Sequence, residues 1–143
     1  MAGSTRRHML GLLLTAAAFV RPGAAAERLR IRDLYGRGAE FSAQAQALAE
    51  QTVRIQGFMA PPLKPDVDFC VLTKLPMAVC PFCDSELNWP NDIVLVRLRR
   101  RQDWVDFNRS ILVTGTLSLG TEVDAATGFV SRVRLVDATF ELV

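Results

Sequence analysis

The sequence of 143 residues is poor in the side chains that most often carry catalysis, with one histidine, one tyrosine, two tryptophans and three cysteines. The histidine is His8, so the rest of the chain contains no imidazole. Serine triads, HExxH zinc sites and histidine acid–base chemistry all require an imidazole group. From residue 27 onward the sequence therefore excludes these three classes together, and we expect a protein that is not an enzyme.

An excess of charge of one sign is also lacking. Residues 27–143 hold 14 basic and 15 acidic side chains, a formal charge of −1, whereas nucleic-acid-binding domains carry a basic excess. One basic run interrupts this balance: Arg97, Arg99, Arg100 and Arg101. Because Asp103 and Asp106 flank Trp104 directly after it, we interpret the run as a solvated strand end rather than a single-strand binding groove. No nucleic-acid partner is expected.

The chain has no hydrophobic run long enough to span a bilayer as a helix, which needs about 20 residues. Its longest apolar run, Met9–Val20, lies between two arginines and Ala24–Ala26, which predicts a cleavable export signal over residues 1–26. Segment Ser4–Leu10 resembles the twin-arginine pattern, and an ordinary secretion signal is the alternative. Since no cysteine follows the run as a lipid-anchor site, we predict a periplasmic protein without a transmembrane segment in the mature chain.

The remaining sequence divides into an extension with one helix, residues 27–51, and a β-rich domain, residues 52–143. Strong helix formers between Ala39 and Gln51, with Ser42 as the candidate N-cap, predict the helix. Alternating and apolar runs predict five strands, which are Thr52–Met59, Phe69–Leu75, Asp92–Leu98, Ser110–Leu119 and Arg132–Leu142.

Turn and bend residues refine this organisation. Gly57 and Gly115 stand inside strand patterns, where glycine often marks a bulge or a tight bend. Thr127 and Gly128 predict the turn before the last strand, with Asp124 capping it through an Asx-type hydrogen bond. Five curved strands predict a mainly β fold, a small five-stranded OB-like Greek-key barrel with one N-terminal helix. A sandwich or a six-stranded barrel is the alternative.

Three sequence motifs carry a family resemblance. Val53–Pro62, Cys80–Cys83 and Thr127–Arg132 resemble a family of bacterial secreted and lipoprotein domains of unknown function, which is itself similar to OB-fold proteins. The resemblance covers residues 34–143, and the chain departs from the lipoprotein branch because it lacks the lipid-anchor cysteine. It implies an OB-like fold and an exported location, and it implies no reaction.

The Cys80-Pro81-Phe82-Cys83 loop is the constellation with the clearest chemistry. Two residues between the thiols allow Cys80 and Cys83 to form a disulfide or to bind one soft metal ion. The oxidising periplasm favours a structural disulfide. Thiol–disulfide exchange is a third alternative, with Cys80 as the attacking thiol and Cys83 as the resolving thiol. It is disfavoured because Asp84 and Glu86 would raise the pKa of a nearby thiol.

A metal site at this loop would draw a third soft ligand from Cys70, Met77 or Met59 and would take Cu(I) or zinc. Cys70 alternates with apolar neighbours in a strand pattern, which favours a small buried hydrophobe instead. Phe82, Trp89 and Met59 are the candidate residues of a binding rim around the loop.

Together these features predict an exported periplasmic binding or accessory domain whose cysteine loop is a structural disulfide or a soft-metal site. Its expected partner is another periplasmic or inner-membrane protein. The alternatives are a periplasmic thiol–disulfide oxidoreductase that uses Cys80 and Cys83, and an accessory protein in copper or zinc trafficking.

Overall fold

A computed structural model describes residues 25–62, 68–78 and 92–143 of the chain. The protein is mainly β, and its strands are β1 (Glu27–Leu29), β2 (Thr52–Met59), β3 (Phe69–Thr73), β4 (Ile93–Leu98), β5 (Ser110–Val123) and β6 (Val130–Leu142). A 3₁₀ turn, Ile31–Leu34, and the short helix α1, Ala43–Ala47, lie between β1 and β2. In the part of the chain that the structure describes, no helix is long and apolar enough to cross a membrane.

The strands form one mixed sheet of six strands. Strand β2 pairs antiparallel with β5 along one edge and with β3 near the end of the other edge, and β3 pairs antiparallel with β4. Strand β4 pairs parallel with β6, and β6 pairs antiparallel with β5. The pairings therefore run in a circuit from β2 through β3, β4, β6 and β5 back to β2. Strand β1 adds to the free edge of β2 in parallel.

The predicted helix over 39–51 is much shorter in the structure, and it follows a strand instead of preceding the sheet. The Ser42 hydroxyl accepts a hydrogen bond from the Ala45 amide at 3.0 Å, which fixes the N-terminus as the sequence indicates. At the other end Glu50 adopts a left-handed φ of 61° and donates its amide hydrogen to the Leu117 carbonyl. The chain therefore leaves the helix early, because its backbone pairs with β5 before β2 begins.

The predicted strands are confirmed, and β2 has the predicted bounds. Strand β3 ends two residues earlier than expected, at Thr73. Strands β5 and β6 extend further toward each other than expected, because their hairpin continues past a register shift between Leu119 and Glu122. The segment Leu29–Tyr35 supplies the end of β1 and the 3₁₀ turn.

Two glycines mark close approaches of strands. A Cβ atom on Gly57 would lie 2.6 Å from the Thr73 carbonyl oxygen, so β3 can cross β2 here only because no side chain is present. A Cβ atom on Gly115 would lie 2.9 Å from the Ala138 Cβ, opposite a bulge in β6 where Asp137 has a φ of 53°. The expected bulge at Gly115 is confirmed.

One face of every strand contributes to a single apolar cluster, which we call the main core. Side chains from the 3₁₀ turn and from α1 cover it at one side. Its buried members are Leu29, Ile31, Leu34, Ala45, Val53, Ile55, Met59, Cys70, Leu72, Val94, Val96, Ile111, Val113, Leu117, Val133, Leu135 and Ala138.

Candidate functional site

The cysteine loop favoured by the sequence falls outside the residues that the structure describes. Cys80, Phe82, Cys83 and Trp89 all lie within residues 79–91. The disulfide, the soft-metal site and the rim at these four residues therefore stay predictions.

Cys70 lies on β3 and points into the main core, with 8% of its surface exposed. Burial raises the pKa of its thiol to about 12, so the group is protonated at neutral pH. Metal ions and disulfide exchange both require the thiolate. The position of Cys70 therefore favours the interpretation as a small buried hydrophobe over that of a ligand.

The two methionines near the predicted loop differ in their surroundings. Met59 is 2% exposed and belongs to the main core rather than to an exposed rim, because it lies on the inner face of β2. Met77 is half-buried beyond the end of β3. Within residues 25–62, 68–78 and 92–143, no three His, Cys, Asp or Glu side chains lie close enough to hold a metal ion.

The basic run is partly neutralised by ion pairs. Arg97 donates to Glu122 at 3.2 Å and to Asp124 at 3.1 Å. Arg99 binds both carboxylate oxygens of Asp137, at 2.8 and 2.7 Å. Two of the four arginines therefore hold carboxylates of the chain itself, which fits a solvated strand end better than a groove for phosphates.

A buried arginine on β6 forms the centre of a polar cluster on the outer face of the sheet. Arg134 is 4% exposed, and it donates from Nη1 to the Gly120 carbonyl at 2.8 Å and to the Ser131 hydroxyl at 3.1 Å. Its Nη2 donates to the Ser118 hydroxyl at 3.1 Å. Its Nε lies 3.1 Å from Glu122 Oε2 in an ion pair without hydrogen-bond alignment. Burial lowers the pKa of Arg134, and Glu122 opposes that shift.

The turn between β5 and β6 is built as the sequence indicates. Asp124 Oδ2 accepts hydrogen bonds from the Thr127 amide at 2.9 Å and from the Thr127 hydroxyl at 2.7 Å. The Gly128 amide donates to the Asp124 carbonyl, and Gly128 has a φ of 73°. The bond from the Thr127 hydroxyl, together with Arg97, holds the pKa of Asp124 below its usual value. Asp124 is thus ionised at neutral pH and links the turn to β4.

A second apolar cluster lies on the face of β3 and β4 opposite to the main core, and we call it the outer cluster. It consists of Ala60, Val71 and Ile93, with Phe129 packed against them from the turn. The Phe129 ring also contacts the Phe69 ring, with 5.7 Å between centroids. The turn between β5 and β6 therefore covers this face with an aromatic ring.

Chemically, the polar part of this site is a set of paired hydrogen-bond donors and acceptors. Two guanidinium groups, Arg97 and Arg134, face two carboxylates, Glu122 and Asp124, so the charges balance. Arginine stays protonated in proteins and serves as a hydrogen-bond donor only. The arrangement fixes the hairpin over the sheet, and in it Arg97 binds carboxylate groups.

Sequence reasoning missed Arg134 and Phe129. Arg134 alternates with Val133 and Leu135 like any exposed strand residue, so its burial gives no local signal. A signal did exist on the neighbouring strands, since Phe69–Thr73 and Ile93–Val96 are apolar on both faces. Continuous apolar runs of this kind indicate strands covered on both sides.

Comparison with known proteins gives one informative likeness. Searches against protein-family models and against curated protein sequences found no match to this chain. A solved structure of a DUF3299 family protein, a domain-of-unknown-function family, from Pseudomonas aeruginosa PAO1 superposes with a TM-score of 0.53 and 15% identity. The likeness covers 84% of this chain and 97% of that one. At this identity the likeness shows a shared fold and carries no activity or ligand.

Proposed function

We propose that the mature chain is an exported, non-enzymatic periplasmic domain of OB-like barrel fold that binds another protein or serves as its accessory. The observation that carries the proposal is the strand circuit from β2 through β3, β4, β6 and β5 back to β2. Because β4 pairs in parallel with β6, β6 lies between β4 and β5 in the sheet, so the last two strands do not follow their order in the chain. A Greek-key barrel of the OB type is expected to have such a non-sequential strand order. Barrels of this type bind ligands with their loops and with one face of the sheet.

The cysteine loop forms part of the binding rim in this proposal. Cys80 and Cys83 form a structural disulfide or bind a soft metal ion, Cu(I) or zinc. Cys70 supports this pairing indirectly, because its buried and protonated thiol leaves Cys80 and Cys83 as the available thiols. The expected partner is a periplasmic or inner-membrane protein.

The non-enzymatic part of the proposal rests on residue chemistry. The sole histidine, His8, belongs to the predicted leader. The buried polar cluster around Arg134 is charge-balanced, and its hydrogen bonds hold the hairpin in place, so we assign these groups a structural role. Thiol–disulfide exchange by Cys80 and Cys83 is the competing function that the experiment must separate.

The test is the intact mass of protein exported by its own leader, measured under native non-reducing conditions and again after denaturation with a thiol-blocking reagent. The variants are the double change Cys80→Ser/Cys83→Ser and, as the matched control, Cys70→Ala. A mature mass two hydrogens light, with one blockable thiol, supports the structural disulfide. A native mass excess that is lost in the double variant but kept in Cys70→Ala supports the soft-metal site.

The contrary result is three free thiols with no bound mass, together with rapid alkylation of Cys80. A Cys80 thiol pKa well below the ordinary value of about 8.5 would then indicate an attacking thiolate. That combination would overturn the non-enzymatic proposal in favour of an oxidoreductase.

A further inference from the structure

The outer face of β3 and β4 has the composition of a binding surface. Phe69 and Val71 on β3, with Ile93 on β4, are buried although they point away from the main core. Arg97 follows on the same face of β4, paired across the sheet with Phe69. An aromatic ring, two aliphatic side chains and a guanidinium group therefore line one strip.

The strip is covered by the chain's own hairpin tip, which we define as residues 121–131. From this tip Phe129 packs on Phe69 and on the outer cluster. From the same tip Asp124 holds Arg97 at 3.1 Å. The tip thus contacts the strip through the Phe129 ring and through two carboxylates, since Glu122 also pairs with Arg97, at 3.2 Å.

The base of the hairpin tip is built as a bend. Leu119 pairs with Val133 and Glu122 pairs with Ser131, so two residues of β5 stand opposite one residue of β6. Gly120, at this bulge, has a φ of 114° and open space around the position of a Cβ atom. Arg134 holds the Gly120 carbonyl at 2.8 Å and the Ser131 hydroxyl at 3.1 Å, so the bend is anchored on both strands. Beyond the bend, Phe129 and the carboxylates of Glu122 and Asp124 attach the tip to the strip.

We infer that the outer face of β3 and β4 is a peptide-binding surface occupied by the hairpin tip, and that it takes a turn-forming segment bearing an aromatic side chain and a carboxylate in place of Phe129 and Asp124. The inference rests on the proposed binding function and names its surface and ligand class. The strip selects the ring by packing on Phe69 and the acid by charge-assisted hydrogen bonds from Arg97. The tip must move away before the ligand binds.

The test uses synthetic fluorescent peptides and the full exported chain at neutral pH. The first peptide has the sequence of residues 121–131, and the second keeps only the Asp124 and Phe129 positions, with all others changed to serine or glycine. Binding to the wild-type protein and to Phe129→Ala is followed by fluorescence anisotropy. In the variant the tip no longer fills the strip, so we expect both peptides to bind at least about tenfold more tightly than to the wild type.

Two controls define the recognition. A peptide with alanine at the Phe129 position should lose binding to the Phe129→Ala protein. The double variant Phe129→Ala/Arg97→Gln should bind the intact peptides about tenfold more weakly than Phe129→Ala alone, because the carboxylate has lost its charged donor. Circular dichroism reports whether each variant is folded.

If Phe129→Ala does not fold, Thr127→Ala replaces it, since this change removes the hydroxyl that donates to Asp124 and accepts from the Phe129 amide but leaves the strip intact. A folded variant whose Asp124 and Gly128 amides exchange freely but which binds neither peptide would overturn the inference. Binding of the first peptide without the second would also overturn it, because the result would then be reassembly of the hairpin alone. These peptide results do not depend on Cys80 or Cys83, so they can fail while the proposed function stands.

Discussion

The main core and the outer cluster pack the two faces of the same strands, and they are held in different ways. Every strand contributes to the main core, so its side chains are buried by segments that also pair with one another. The outer cluster has three buried residues and depends on half-buried Phe129, which comes from a hairpin tip beyond a bulge. The difference indicates that global stability resides in the main core, whereas the outer cluster can be lost by local opening.

The largest expected effect comes from breaking the main core. Leu72 is fully buried on the inner face of β3, and Leu72→Ala should lower the free energy of unfolding by about 2–5 kcal/mol through lost burial and a residual cavity. Urea denaturation measures the change. The control is Leu75→Ala, since Leu75 is 62% exposed and should change stability by less than about 0.5 kcal/mol. Equal effects at the two positions would contradict the assignment of the main core.

The next effect concerns the anchor of the hairpin. Arg134→Gln removes the donor to the Gly120 carbonyl and the ion pair to Glu122, and it should lower the free energy of unfolding by roughly 1–3 kcal/mol. The exposed Arg109→Gln is the matched control in the same urea titration. If the two variants were equally stable, Arg134 would not anchor the bend.

Acid should loosen the hairpin tip before it affects the main core. The pKa of Asp124 is lowered in the folded state, so its contribution is present above the unfolded pKa and is lost as pH falls through the folded pKa. We expect the Gly128 amide to lose protection below about pH 4, and Asp124→Asn to abolish that dependence. Asp33 and Asp137 also have lowered pKa values, so global stability is a poor readout and NMR of the tip is required. Protection of the Gly128 amide that does not change with pH would contradict this account.

The smallest effect is expected at the Arg99–Asp137 pair. Its side chains are 63% and 57% exposed, and surface ion pairs of this kind contribute little to stability because water and salt screen them. Arg99→Gln should therefore shift the urea midpoint only slightly and should leave the hairpin tip unchanged. A loss as large as that of Leu72→Ala would show that this part of the basic run is structural.

Period-2 patterns and continuous apolar runs predicted five of the strands, because burial of one face or of both faces determines the order of apolar residues along a strand. The bounds of β2 and the Asx turn at Asp124 follow from such local signals. The helix end was wrong because Glu50 pairs with Leu117, a partner far away in the sequence. For the same reason β1 was missed, since three residues form a strand only through their register with β2.

The site was less predictable than the fold. Cys70 lies in the main core between apolar neighbours, which is the position that its strand pattern favours for a small buried hydrophobe. The burial of Arg134 depends on a hairpin that bends at Gly120, and no pattern within β6 indicates that bend. The sequence around a residue that is buried by tertiary contacts does not indicate its burial. Only the segments that it packs against do so, here β3 and β4, whose residues are apolar on both faces.

The most direct test of the central claim is native-state hydrogen exchange of the wild-type protein at increasing urea concentration. The amides of Asp124 and Gly128 are bonded within the hairpin tip, whereas the Leu117 amide is bonded to the Gln51 carbonyl at the main core. We predict that the tip amides exchange by a local opening that urea barely affects, while Leu117 exchanges only through global unfolding. One common opening free energy with the same urea dependence for all three amides would contradict the account.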